Sequence, residues 1–342
     1  MRALLLAVLT ASPSAAAETV LSARLLGGRH LANGREGSFS GAVAGGAAAA
    51  IPLARNWTLF PTLAGSWNGV ESALDTPGGA TLFSESMDHR VAVKAVYEPP
   101  RGGWRLKPHA GWRARFLREA KDEGWTDGLF DHHTVDAGFE AECDLGRGAS
   151  AALGWALSRT LFPNYASLES AAPVDPRGRP LARELAGAGV LDSDAHLFTA
   201  ALRGPLGAGL RADARLGLQV RDFLDQKLVR ADGLLESERR SDLVTSFEGA
   251  LRAAREPRPD LRLDGGLTLS LESAVSDQAS LDPARAHYEP RHYNYADWGV
   301  GPDLAVSWGD PRAPAALSLS ARYAWRRWPH RSARDAAGAY SG

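Results

Sequence analysis

The chain has 342 residues, with 39 Lys plus Arg against 40 Asp plus Glu, a net charge of -1 and an isoelectric point near 6.8. That balance argues against a nucleic-acid binder driven by a basic surface. Hydrophobic residues at 44% are too many for a disordered chain, and a single Cys excludes an intramolecular disulfide framework or a Cys-rich zinc site.

The N-terminus reads as a targeting segment. Arg2 is followed by a short apolar core, Ala3 to Ala11, then Ser12-Pro13-Ser14 and Ala15-Ala16-Ala17. This order fits a secretory signal peptide over residues 1–17, cleaved after Ala17. The apolar core is too short to span a bilayer as a helix, and no later stretch approaches ~18 strongly apolar residues.

From residue 20 onward the period is two, which is the strand signal. In 104–116, Trp104, Leu106, Pro108, Ala110, Trp112, Ala114 and Phe116 share one face. Arg105, Lys107, His109, Gly111, Arg113 and Arg115 share the other. In 132–143, His133, Val135, Ala137, Phe139, Ala141 and Cys143 oppose His132, Thr134, Asp136, Glu140 and Glu142. The pattern recurs at 210–221 and 260–273. Thirteen segments follow it, near 20–26, 38–50, 56–67, 87–98, 104–117, 132–143, 149–161, 194–206, 209–223, 241–254, 260–273, 293–308 and 314–328. Many have ten residues or more, against about 5–6 for ordinary strands and about 9–11 for a tilted membrane-spanning strand.

The connections alternate between short (51–55, 99–103, 144–148, 204–208, 255–259, 309–313) and long (27–37, 68–86, 118–131, 162–193, 222–240, 274–292). Short periplasmic turns and long outer loops make this rhythm in outer-membrane barrels. Trp57 and Trp67 lie ten residues apart on one face, as do Trp298 and Trp308. Ten residues at ~3.3 Å, tilted about 45°, rise roughly 23 Å, close to the apolar band of such barrels. Trp57, Trp67, Trp104, Phe116, Trp298, Trp308 and Trp325 are therefore candidate girdle residues.

On these patterns the chain resembles a Gram-negative outer-membrane β-barrel over essentially all of residues 18–342. The resemblance implies an all-β, transmembrane, antiparallel up-and-down barrel, exported to the outer membrane. Lipid and the barrel-assembly machinery are its implied partners, with no nucleic acid. Loosely, it is also similar to the barrels that follow tetratricopeptide regions in secretion-related proteins, although no helical repeat is present. Single-chain barrels have even strand numbers. Thirteen visible segments therefore imply about fourteen strands with the last missing after Gly342, or twelve if 20–26 is not a strand.

The polar face supplies candidate pore-lining residues: Arg105, Lys107, His109, Arg113, Arg115, Asp136, Glu140, Glu142, Arg211, Asp213, Arg215, Arg262, Asp264, Glu272, Asp303 and Arg322. A symmetric hairpin about 117 and 132 would set Arg113 opposite Asp136, His109 opposite Glu140 and Lys107 opposite Glu142. Such pairs either staple the wall or set a field across a water-filled pore. The loop at 162–193 is a candidate constriction, as is the charged loop at 118–131.

The leading functional expectation is passive passage of small polar solutes. A non-conducting barrel that displays loops or assists a partner's export is the alternative. No cofactor, metal or catalytic residue is assigned. His132, His133, His287 and His292, with Asp131 and Asp136, are the residues a rim hydrolase would use, but no G-x-S-x-G or H-E-x-x-H motif accompanies them. Glu18-Thr19-Val20-Leu21-Ser22 resembles the energy-coupling box of active transporters, without room for their plug domain. Cys143 reads as a small apolar filler.

Overall fold

Strict alternation of apolar and polar side chains suits an extended backbone, and the described residues lie mostly in strands. The computed structural model describes residues 17–32, 35–75, 81–166, 177–178, 183–207, 209–282, 286–309 and 315–331. The expected signal-peptide core and the tail after 331 lie outside the described residues. The strands are β1 Glu18–Ala32, β2 Arg35–Ala54, β3 Trp57–Asp75, β4 Thr81–Tyr97, β5 Trp104–Arg118 and β6 His132–Gly146. They continue with β7 Ala149–Leu161, β8 Ser193–Gly207, β9 Leu210–Val229, β10 Leu235–Arg258 and β11 Leu261–Ser276. A short hairpin, β12 Ser280–Asp282 with β13 His287–Glu289, precedes β14 Tyr295–Trp308, β15 Ala315–Ser320 and β16 Tyr323–Arg327. One 3-10 turn, Arg183–Leu185, stands between β7 and β8.

The main sheet has fourteen strands in chain order, β1 through β11 and then β14 and β15, with β16 also on β14. Neighbouring strands β1 to β5, β7 to β11 and β14, and β15 and β16 on β14, pair antiparallel. This is an up-and-down meander. Its last two members are halves of one sequence segment. β15 and β16 pair the same strand in one continuous register, from Asp303↔Ser320 to Ala296↔Arg327. The interruption falls at Ala321 and Arg322, beside Pro302, which has no N–H to give the ladder. Ala321 N still donates to Pro302 O at 3.1 Å.

Three expected long connections differ. Residues 27–37, 68–86 and 222–240 are largely strand, because β1, β3 and β9 run on to Ala32, Asp75 and Val229. Ladder hydrogen bonds satisfy this backbone more fully than a loop would. The loops after β5 and β7, and the segment around β12 and β13, remain long. The short turns expected at 51–55, 99–103, 144–148 and 255–259 fall in place, and one passes through Gly146, Arg147 and Gly148 with φ of 79°, 54° and 78°.

The chain divides into two compact units, 1–137 and 138–342. In the first, apolar residues form cross-strand rows on one face: Leu25↔Val43↔Trp67↔Met87↔Phe116 and Leu21↔Ala47↔Leu63↔Val91↔Trp112. In the second, one row runs Leu153↔Ala200↔Leu216↔Phe247↔Leu271↔Trp298↔Trp325. These faces are exposed: Leu153 is 67%, Leu216 56% and Leu271 44% accessible. Among the described residues of the first unit, Ala114 is the only buried hydrophobic side chain.

The exposed apolar rows have charged limits. Toward the long connections the apolar face of β3 to β5 ends at Glu71, Glu85 and Arg118, where Arg118 pairs Glu85 at 2.7 Å and Lys121 pairs Glu71. On β7 to β9 it ends at Arg159, Asp194 and Asp222, directly opposite one another, with Arg159 on Asp194 at 2.6 Å. Between Leu210 and Asp222 on β9, this face carries no charge. Those twelve residues correspond to roughly 28 Å of height at the usual rise and tilt.

Candidate functional site

The candidate girdle residues fall at the two ends of these rows. At the short-turn end, Trp57 packs on Tyr97 with 5.0 Å between rings, and Tyr97 on Trp104 with 5.5 Å. Trp308 occupies the corresponding end of β14, opposite Leu261. At the long-connection end, Trp67 and Phe116 flank Met87. Trp298 lies edge-on to Trp325 at 5.6 Å. The sequence reading missed Tyr97 and Tyr323, which complete these rows. The available signals were Tyr323's spacing of two from Trp325 and Tyr97's spacing of ten from Met87, each along one strand.

The polar face is a wall of paired charges, and Arg113 takes a partner other than the Asp136 that a symmetric hairpin would set opposite it. Arg113 turns to β4 and holds Asp88 with Nε at 3.0 and 2.9 Å. Asp88 sits directly opposite Arg115, so Arg113 reaches it diagonally. The Asp136 carboxylate lies instead over Gly111, the one position of that face of β5 without a side chain to displace it. His109 faces Lys94 on β4, and Arg105 pairs Glu98. Lys107, Glu140 and Glu142 are each engaged.

In the second unit, Arg203 holds Asp213 at 2.7 Å, and Arg262 holds Asp264 on its own strand at 2.9 Å. Arg215 is opposite Glu248, and Arg211 is opposite Arg252. Glu272 accepts from the Tyr295 hydroxyl at 2.6 Å. Asp303 lies over Gly266, and Arg322 reaches Ser270 Oγ at 3.4 Å. All these residues share the face opposite the apolar rows.

The largest buried cluster lies beyond the apolar rows, at the long-connection ends of β8 to β14. Register shifts between Leu235 and Ser241 mark a bulge in the β9–β10 pair, and bulges re-aim side chains. There Arg240 is clamped by Asp242, with Nε to Oδ1 at 2.8 Å and Nη2 to Oδ2 at 2.6 Å, and by Gln226 at 3.2 Å. Its guanidinium lies between the rings of Phe223 and Tyr293, at 4.4 and 4.2 Å. The Gln226 amide donates to the Glu184 carbonyl. Glu184 Oε1 accepts from Ser280 Oγ at 2.8 Å and from Leu281 N at 3.3 Å. Burial, then the nearby Glu184 carboxylate, pushes the Tyr293 phenol above its usual value. Val229, Ala279 and Tyr288 form an apolar centre beside this cluster, with Leu235 and Leu281.

The Arg183–Leu185 turn between β7 and β8 therefore docks, through Glu184, on polar groups of β9 and β12. Asp192 closes it further: Phe162 N donates to its Oδ1 at 2.7 Å, and Leu224 N to its carbonyl at 2.8 Å. No local sequence pattern announces Arg240, Gln226, Gln278 or Glu184 as buried.

The other charged loop, 119–131, is fixed in its own unit. Arg118 donates to the carbonyls of Glu123 and Lys121, both at 2.6 Å. Asp131 is 1% exposed and accepts the Leu117 amide through Oδ1 at 2.7 Å, while Oδ2 has no partner among the described residues. Burial is the main cause that raises the Asp131 carboxyl above its ordinary 3.8. A raised folded value means that the native state binds the proton more tightly. The stabilisation is full below the ordinary value and fades as pH climbs through the raised one. Asp131→Asn keeps an acceptor for Leu117 and removes the buried charge. It is expected to hold or strengthen the loop at pH 7 and to flatten this pH dependence. Asp131→Ala orphans the Leu117 amide, at a cost of about 1–3 kcal/mol. Hydrogen exchange at Leu117 between pH 3 and pH 7 reads both; equal protection in the wild type and the Ala variant would remove the anchor.

His132 Nδ1 faces the Phe130 carbonyl at 3.2 Å, His133 stacks on Trp112 at 5.9 Å, and His292 Nδ1 meets Glu289 at 3.0 Å. Cys143 is exposed. Among the described residues, no His, Cys, Asp and Glu group is arranged to hold a metal ion.

Fold and faces together define an all-β, antiparallel, up-and-down sheet protein with one apolar and one charged face. The solved structures similar to it are outer-membrane β-barrels. The β domain of the Bordetella autotransporter BrkA is 10% identical, with a TM-score of 0.37 over 72% of this chain and 86% of that one. The Pseudomonas putida toluene transporter TodX is 12% identical, with a TM-score of 0.33 over 91% and 87%. CdiB from Escherichia coli is 11% identical, with a TM-score of 0.42 over 93% of this chain and 64% of that one. No protein-family model matches the sequence, and no curated protein matches it.

Proposed function

We propose that the chain is an outer-membrane β-barrel whose charged face lines a water-filled interior and lets small polar solutes pass passively. The observation that carries this reading is the exposed apolar face, continuous across strands, edged by aromatic rows and ending in ion pairs. Water-soluble proteins rarely expose contiguous apolar patches above a few hundred Å². Lipid removes that cost, and a spanning sheet must then close to satisfy its edges. The opposite wall, with Arg113–Asp88, Arg203–Asp213 and Arg262–Asp264 held in place, keeps a polar interior hydrated. Outer-membrane lipid and the barrel-assembly machinery are its partners in this reading, and no catalytic residue is assigned.

A second reading has its own observation. The Glu184–Gln226–Arg240 cluster pins the long β7–β8 segment to polar groups of β9 and β10, which favours a barrel closed at its outer end that presents loops. Single-channel current across a planar bilayer, with detergent-folded protein, separates the two. Steady ohmic steps with a reversal potential in a salt gradient are expected for the open interior. Silence from well-folded protein would overturn it in favour of the closed barrel.

A further inference from the structure

On the polar wall near the short turns of β8 to β11 lies a cleft of about 650 Å³, lined among others by Pro205, Gly209, Arg211, Arg252, Arg262 and Asp264. Arg211 and Arg252 are register partners across β9 and β10. Like charges placed directly opposite across a strand pair repel. Neighbouring arginines on this wall are neutralised, Arg203 by Asp213 and Arg262 by Asp264. Among the described residues, neither Arg211 nor Arg252 has a carboxylate within ion-pair distance. Their flanking partners are Pro205 on β8 and Gly266 on β11; the Asp303 carboxylate lies over Gly266, and Asp264, two residues along β11, is held by Arg262. The wall thus leaves two opposed guanidinium groups without an ion pair and leaves space in front of them.

We propose that this cleft binds a small, soluble, phosphate-bearing anion, held between Arg211 and Arg252. Each guanidinium is a planar fork of donors that matches two phosphate oxygens at once. An anion with more than one negative charge relieves the repulsion that the fold otherwise carries. Arg262, already turned to Asp264, borders the site and does not hold the ligand. The assignment deepens the reading of a hydrated interior and rests on it, because only a wetted wall admits a soluble solute.

The test is isothermal titration of the full chain, folded in detergent, with inorganic pyrophosphate at low salt. Saturable binding is expected in the wild type, and at least a tenfold loss of affinity in the double variant Arg211→Gln/Arg252→Gln. Arg215→Gln, whose residue faces Glu248, serves as a control expected to bind as the wild type does. Removing opposed like charges does not threaten the sheet, and Arg252→Gln alone provides a milder second variant with an intermediate loss. Equal affinity in wild type and double variant, or no saturable binding in the wild type, would overturn the proposal. Displacement of pyrophosphate by an anionic phospholipid in mixed micelles would overturn the assignment to a soluble solute. Binding is read independently of current. Binding without conductance removes the channel and keeps the site, whereas conductance without binding removes the site and keeps the channel.

Discussion

Replacing Arg240 with Ala is expected to open the outer end of the second unit. The side chain is only 9% exposed, and it neutralises Asp242, which is 12% exposed. Its removal strands a buried carboxylate and leaves Gln226 Oε1 without its donor. Breaking one partner of a buried pair costs about 3–5 kcal/mol, and loss of the aromatic sandwich with Phe223 and Tyr293 adds to it. Gln226 also carries the Glu184 carbonyl, so the β7–β8 segment should detach. The expected readout is rapid proteolysis within 162–192 while the strands of the sheet stay intact. Arg240→Met combined with Asp242→Leu removes both charges and should recover most of the protection, because the penalty lies in the unpaired charge more than in the missing pair. Unchanged proteolysis in Arg240→Ala would mean that the segment is held by its own contacts, such as Asp192 with Phe162 and Leu224. If the outer end is a closure, the Ala variant should also raise single-channel current.

The second large effect tests which face meets lipid. Leu216 lies midway along the uncharged face of β9, between Ala200 and Phe247. Arg at that depth in a bilayer costs about 2–4 kcal/mol. Gln219 is three residues away on the opposite face, between Leu197 and Val244, and Gln219→Arg should cost almost nothing. Folding into lipid vesicles under urea, followed by tryptophan fluorescence, measures both. Leu216 is 56% exposed, so in a water-soluble protein Leu216→Arg would shift stability by no more than about 0.5 kcal/mol. Equal, small effects at the two positions would therefore sink the membrane reading itself.

Much of this architecture is written locally. Successive residues of a strand point to opposite faces whatever lies beside them. The run from Trp104 to Phe116 thus already separates a lipid-compatible face from a charged one. The same rule places Arg211, Asp213 and Arg215 together, and the thirteen alternating segments correspond to the thirteen positions of the sheet once β15 and β16 are joined. Loop lengths were less legible. Residues 27–37 and 68–86 hold the Gly and Ser that usually mark turns, yet neighbouring strands offered them ladder partners.

Pairing is where the sequence stopped. Arg113 has carboxylates on both sides, and the choice of Asp88 over Asp136 depends on register and on the gap at Gly111, neither of which alternation encodes. The opposed Arg211 and Arg252 come from the same source, since a shift of one residue would have faced each away from the other. The Arg240 cluster joins Glu184, Gln226, Asp242 and Ser280, separated by up to 96 residues. Only the bulge in β9–β10 and the folding back of the long segment bring them together. Side-chain direction is a property of a residue and its immediate backbone, so sequence determined the faces of this protein. Partner choice is a property of where strands stop sliding and loops come to rest, so tertiary structure alone decided which charges are paired and that Arg211 and Arg252 face each other without an ion pair.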